Sequence, residues 1–369
     1  MTPRDVLPRR GRVTLVSVLA CLMLLVLALP VPAFQATPVA ADAPVPVAFP
    51  RDDGPHDSAI EWWYFTGHMF APDGARYGFE YVIFRARSGE LEGFVSHFAV
   101  TDNPRGEFHY DQRILGAPGV AGDAAPLDLN LNGWTMRGGD GQFNLAAEMP
   151  GYAIDLAVAT TKPAALHDGD GYIDYGNGTA SYYYSWTRMG LSGTLDLGAG
   201  PVPVTGEAWM DHQWGDFATF EEGGWDWFAV QLDDGVDVML YLIRDGDSRP
   251  LRVDGSIVDS AGELTVLGEG DFTVTATGEW TSPETGTTYP SGWILAIPSA
   301  DLEMTVTPTI PDQELDTLPT TGVIYWEGEV DVAAVVRGQP VAGLGYVELT
   351  GYAPYVPLDL GSPQATPAG

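Results

Sequence analysis

EWWYFTGHMFAPDGARYGFEYVIFR, residues 61–85, decides the fold. In its second arm Tyr77, Phe79, Tyr81 and Ile83 share one face while Glu80 lies on the other, the two-residue repeat of a half-buried strand. PDG at 72–74 supplies the turn, and the first arm is an aromatic strand. One of Trp62 and Trp63 must point inward and the other outward, because strand side chains alternate. WDWFAVQLDDGVDVMLYLIR, residues 225–244, repeats the order: aromatic strand, Asp-Gly turn, aliphatic strand, closing Arg. FVSHFAVTD (94–102), YAIDLAVAT (152–160), ASYYYSWTRM (180–189) and GTLDL (193–197) alternate in the same way, and no stretch sustains a helical period. The connections are too short for parallel crossovers, so the sheets are expected to be antiparallel. Each half, about 140–160 residues, suits one barrel or sandwich.

Composition agrees. The 369 residues include 45 Gly and 29 Pro, with 18% charged and 11% aromatic side chains, the profile of many short strands joined by tight turns. Residues 1–33 read as an export signal: Arg4, Arg9, Arg10 and Arg12 form a basic start, Val13–Leu29 is apolar, and small residues follow at 31–33. An uncleaved N-terminal membrane anchor is the alternative reading. Cys21, the single cysteine, lies in that run, so the exported part is expected to have no disulfide or thiol chemistry. The net charge of −33 becomes about −36 once four Arg and one Asp are removed with 1–33, and Lys162 is the only lysine. Such a surface excludes nucleic acid and anionic membranes as partners; membrane contact would come only through the N-terminal segment. Residues 34–54 read as a Pro/Ala-rich linker, residues 358–369 as a disordered tail, and Asn177-Gly-Thr as a glycosylation sequon by pattern.

HDSAIEWWYFTGHM, SHFAVTD, SYYYSWTRMGLSGTL, VTGEAWMDHQWGD, GWDWFAVQLDDG and YWEGEV…GLGYVELTGY occur in this order. Together they resemble the carotenoid 1,2-hydratase-like group of lipocalin-like proteins (the CrtC and AttH type), including its exported members, over residues 55–356. The resemblance implies an all-β chain of two tandem lipocalin-like antiparallel barrels, residues 55–218 and 219–357. It also implies a site for an extended apolar molecule, isoprenoid or lipid-like, where the barrels meet. His212 and Trp214 match the pair thought to line that site. The family's hydratases are thought to donate a proton from an Asp beside a Tyr on the next strand. Here Tyr241 is followed by Leu242 and Ile243, which puts hydration in doubt.

Read as chemistry, Asp211, His212 and Trp214 could supply a proton donor beside a ring able to stabilise a carbocation; alternatively Asp211 and His212 hydrogen-bond each other as a latch between barrels. Glu61, beside Trp62 and Trp63, is costly to bury unpaired; it serves as a general acid or bridges to Arg85 or Arg188. His97, mid-strand, is a satisfied core group or a ligand-facing one. Tyr182 and Tyr184 share a face and suit a pocket for an extended apolar ligand, as do Trp227, Glu348 and Tyr352 in the second half. No G-x-S-x-G elbow, H-E-x-x-H pair or Gly-rich phosphate loop occurs, and the six histidines are far apart in sequence, so neither cofactor nor metal is expected.

Overall fold

The computed structural model describes residues 44–89, 91–116, 126–176, 178–216 and 223–356. The expected signal, residues 34–43 of the linker, the sequon Asn177 and the tail lie outside the described residues. Within them the chain is all-β, with three short 3-10 turns and no α-helix.

Twelve strands form the first antiparallel sheet. The hairpin Ile60–Phe70 and Arg76–Ser88 sits at its centre, with Gly74 at φ +87° in the turn, a conformation that favours glycine. Leu91–Asp102 and Glu107–Gly116 continue on one side, and Pro201–Asp216 and Ala180–Asp196 on the other. The sheet ends on Leu127–Leu131. It curls until Arg113 on one edge donates to the carbonyls of Leu131 (3.0 Å) and Asn132 (2.6 Å) on the other and lies over Trp134, nearly closing a barrel. Trp63, Phe65, Tyr81, Trp134, Phe143 and Met210 are among the buried side chains that fill it. Burial of each contributes about 1.5–3 kcal/mol.

The ten-stranded second sheet repeats the central pairing. Its first strand, Gly223–Leu232, lies between Asp237–Asp245 and the last strand, Gln339–Leu349, which pairs with Ile324–Val336. In the first sheet, likewise, Ile60–Phe70 lies between its hairpin partner and the last strand, Pro201–Asp216. Phe228, Val230, Leu240, Trp293 and Val347 fill the second interior.

The two barrels pack by the outer faces of these central strands, which places a third aromatic cluster between them. Polar rivets hold the contact. Asp237 receives Lys162 Nζ (2.7 Å) and Arg188 Nη2 (2.7 Å), while Glu329 pairs with His68 (2.7 Å) and Arg76 (3.2 Å). The barrels approach closely at Gly78, where a Cβ would lie 2.4 Å from the Tyr346 hydroxyl oxygen. Glu80, read from sequence as the polar side of a half-buried strand, is therefore only 1% exposed. Its face is outward from the first barrel, and the second barrel covers it.

Candidate functional site

Strand Pro201–Asp216 carries functional side chains on both faces. Its even residues Met210, His212 and Trp214 point into the first barrel, and its odd residues Trp209 and Asp211 point into the seam between barrels. Asp211 and His212 thus diverge, as neighbours on a strand must. They do not form the mutual hydrogen bond that the latch reading required.

The seam gathers acids and rings. Asp211 accepts hydrogen bonds from the Tyr183 hydroxyl (2.5 Å), Trp209 Nε1 (2.6 Å) and the Ser185 hydroxyl. Burial raises its pKa to about 6, although these donors pull the other way. Glu348 stands in register between Trp227 and Glu327 on the flanking strands and accepts from Trp225 Nε1 (2.8 Å). Burial again dominates and pushes its carboxyl up to about 7; Asp211 adds to the rise and the Trp225 N–H opposes it. Glu327 accepts from the Tyr64 hydroxyl (2.6 Å). Burial, with Glu348 and Glu80 as neighbouring charges, drives Glu327 well above the ordinary carboxylate range. Glu80 is raised the same way, by burial first and then by Glu348. Neither oxygen of Glu80, nor Oε2 of Glu327, has a hydrogen-bond partner among the described residues. Around these acids the Tyr64 and Trp227 rings meet edge to face at 5.3 Å, and Tyr183 and Tyr241 lie 6.3 Å apart.

Several acids raised together by burial and by one another stay partly or wholly neutral at pH 7 and can donate protons. The surrounding aromatic faces can stabilise positive charge that such a proton creates on a substrate. The acid missing beside Tyr241 along its own strand is found on the neighbouring one, where Asp254 stands in register with it. The Tyr241 hydroxyl itself donates to Asp254 (2.9 Å).

A second cluster closes the base of the first barrel. Glu61 is fully buried and accepts from Arg85 Nη1 (2.9 Å) and the His56 backbone N–H (3.0 Å) on Oε2, while His56 Nδ1 (2.7 Å) and His212 Nε2 (2.9 Å) meet at Oε1. Of its two sequence-expected partners Glu61 takes Arg85; Arg188 goes to Asp237. Burial would raise the Glu61 pKa, but the hydrogen bonds from His212 and His56 outweigh it and hold the carboxyl at about 2. Burial lowers the pKa of His212, against the pull of Glu61. Trp63 stacks on His212 at 4.9 Å, the Trp63 indole donates to the Asp53 carbonyl, and Trp214 stacks on His56 at 3.9 Å. The Tyr184 hydroxyl lies 3.2 Å from His212 Nδ1 and donates to Asp53 (2.7 Å). Tyr182 stacks on the outer side of Trp214 at 5.2 Å.

The residues expected from sequence therefore divide. Asp211, Tyr241, Trp62, Trp227 and Glu348 belong to the seam, and His97 reaches across it to the Tyr325 hydroxyl (2.7 Å) and Thr320 (3.2 Å). Burial pushes the His97 pKa down to about 3, so its ring is neutral. Glu61, His212, Trp63, Tyr182, Tyr184 and Trp214 gather in the first barrel. Tyr352 joins neither: its hydroxyl donates to Asp226 (3.0 Å) and its ring lies under Arg244 at the second barrel's end. Sequence reasoning did not single out Glu80 or Tyr64 in the seam, or His56 in the base. The open hollow lined by Gly223, Asp245, Val323 and Tyr355 lies at strand ends, away from both clusters.

Two antiparallel barrels joined face to face over an acidic, aromatic seam define a lipocalin-like two-barrel protein. The AttH-like family model matches residues 40–352, and the chain belongs to that family. It is similar to the crystal structure of an AttH-type protein from Nitrosomonas europaea, with 30% identity, 86% of this chain and 100% of that one covered, and a TM-score of 0.77. The fold is shared with kievitone hydratase from Nectria haematococca at 18% identity, covering 83% and 93% of the two chains, with a TM-score of 0.66. It is shared also with CghA at 14% identity, covering 80% and 89%, with a TM-score of 0.54. No curated protein sequence matches the chain.

Proposed function

We propose that this protein binds an extended, apolar, unsaturated molecule, isoprenoid or lipid-like, in the seam between its barrels and protonates a carbon–carbon double bond there. One observation carries the reading: buried carboxyl groups, raised in pKa and set among Trp and Tyr rings, with the oxygens of Glu80 and one oxygen of Glu327 unpartnered. Leaving buried polar groups unsatisfied costs about 1–3 kcal/mol each, a burden natural folds keep mainly where it serves a site. Glu348, raised to about 7, is the proton donor matched to neutral pH. Its proton goes to one alkene carbon, and the cation forms at the other under the faces of Trp227 and Tyr64. Water adds to that carbon and returns a proton to the Glu348 carboxylate, which restores the acid. A protein named as a hydratase, kievitone hydratase, shares the fold, and addition of water is the reaction proposed here. Action outside the cytoplasm is part of the proposal and is supported by the basic and apolar segments of residues 1–33.

Native mass spectrometry of protein purified from its own host identifies the ligand, which then serves as substrate. Glu348→Gln is expected to keep binding and lose turnover by about 10²–10⁴-fold, the usual contribution of a positioned general acid. Turnover undiminished in Glu348→Gln, or a ligand displaced by no seam substitution, would overturn the reading.

A further inference from the structure

The base of the first barrel poses a hydrogen-bonding problem that its side chains do not solve. His56 Nδ1 and His212 Nε2 both face Oε1 of Glu61, at 2.7 and 2.9 Å. Their other ring nitrogens are committed. His56 Nε2 lies 3.3 Å from Asp52 Oδ1, and an ionised carboxylate can only accept, so this contact needs the proton on Nε2. His212 Nδ1 lies 3.2 Å from the Tyr184 oxygen, whose own hydrogen goes to Asp53, so this contact likewise needs the proton on Nδ1. Neutral imidazoles cannot serve both sets of contacts: donating to Glu61 leaves the outer contacts without a proton, and donating outward leaves the nitrogens that face Glu61 as lone pairs turned towards a carboxylate oxygen. Protonating both rings would instead place two imidazolium ions with ring centroids 5.5 Å apart beside the Arg85 guanidinium. One of them, on His212, would be wholly out of water.

A metal cation resolves the conflict. We infer that His56 Nδ1, Glu61 Oε1 and His212 Nε2 form a binding site for a first-row divalent transition-metal ion of the zinc class. The three ligand atoms lie within 4.8 Å of one another. Two imidazoles and a carboxylate are a donor set that zinc accepts, and three protein ligands leave it a further exchangeable position. The surroundings have the form expected around metal-bound histidine, in which the far ring N–H is held by a carboxylate or a polar relay. Asp52 plays that part for His56, and Tyr184 with Asp53 plays it for His212. Arg85 opposes a cation, but its Nε is paired with Glu92 and its Nη1 turns to Oε2, the oxygen that the histidine rings do not face. His56, with a side chain 19% exposed, gives the site its access to solvent. The signal is absent from sequence spacing because the ligands come from a loop and two strands up to 156 residues apart, counting from His56 to His212. The site lies on the face of strand Pro201–Asp216 opposite the seam, so it stands or falls independently of the proposed reaction.

Chelator-washed full-length protein titrated with zinc in a calorimeter tests the inference, with thermal unfolding as a second readout. One zinc per chain and a melting temperature that rises with zinc are expected. Asp52→Asn should weaken binding about 10–100-fold, the usual cost of losing an outer partner of a ligand. His56→Phe keeps a ring to stack on Trp214 but offers no nitrogen, and should abolish stoichiometric binding while the circular dichroism spectrum is unchanged. The inference is overturned if wild-type protein takes up no stoichiometric zinc. It is equally overturned if His56→Phe and Asp52→Asn bind as wild type does, which would place the ion on the acidic surface.

Discussion

Raising the pH should unfasten the seam through Glu348, and the effect can be isolated. Glu348 carries a proton in the folded protein up to about pH 7, whereas in the unfolded chain it ionises near 4.5. Between those values folding takes up a proton. The stabilisation is therefore complete below about pH 4.5 and is lost as pH rises through 7. A rise of about 2.5 units, at about 1.4 kcal/mol per unit, amounts to about 3.5 kcal/mol, trimmed to about 2 because the side chain retains some solvent access. Glu348→Gln removes the titration yet keeps an oxygen for the Trp225 indole N–H. Urea unfolding of both proteins at half-unit steps from pH 4.5 to 8.5 gives the comparison. The whole acidic chain loses stability with pH for other reasons, so the difference between the two slopes is the decisive quantity. Wild type should lose about 2 kcal/mol more than Glu348→Gln across the range. Parallel curves would refute the placement of a neutral Glu348 in the seam.

Other substitutions separate stability from use. Asp211→Asn turns an amide N–H towards the donors Tyr183, Ser185 and Trp209, and should cost about 1–3 kcal/mol in denaturant unfolding. Glu80→Leu replaces a buried carboxyl that has no partner, so it should raise the unfolding free energy by about 1–3 kcal/mol while weakening ligand binding; a loss of stability would contradict the unpartnered state. Lys162→Met breaks a buried pair across the barrels, but Arg188 still neutralises Asp237, so the cost should fall at or below about 3 kcal/mol, read from urea midpoints. Gly78→Ala pushes a methyl group at the Tyr346 hydroxyl and should cost about 1–3 kcal/mol by forcing the barrels apart, checked by thermal unfolding.

The fold was legible because its strands alternate cleanly. Tyr77, Phe79, Tyr81 and Ile83 read as one face, and all four lie inside the first barrel. The recurrence of residues 61–85 in 225–244 marked two units, and the same central pairing appears in both sheets. Alternation separates one face from the other, but it does not say which face meets water. On strand Arg76–Ser88 both faces are covered, so Glu80 looked like a solvated residue and is a buried acid. Glu327 and Glu348 pair across neighbouring strands and face Glu80 and Asp211 only because two barrels dock, a relation that lies outside any local window.

The motif AWMDHQWGD shows the limit in one strand. Its residue types suggested a site, yet treating adjacent Asp211 and His212 as one pair ran against the two-residue repeat that had disclosed the fold. Applied to the motif, that repeat already divides it: Trp209 and Asp211 to one side, Met210, His212 and Trp214 to the other. The partners of each side come from distant segments, Tyr183 and Ser185 for Asp211, and Glu61 and Tyr184 for His212. One strand thus contributes side chains to two separate clusters. A substitution at 211 should act on the seam and leave zinc binding intact, while one at 212 should do the reverse; if either change disabled both, the two faces would be working as one site.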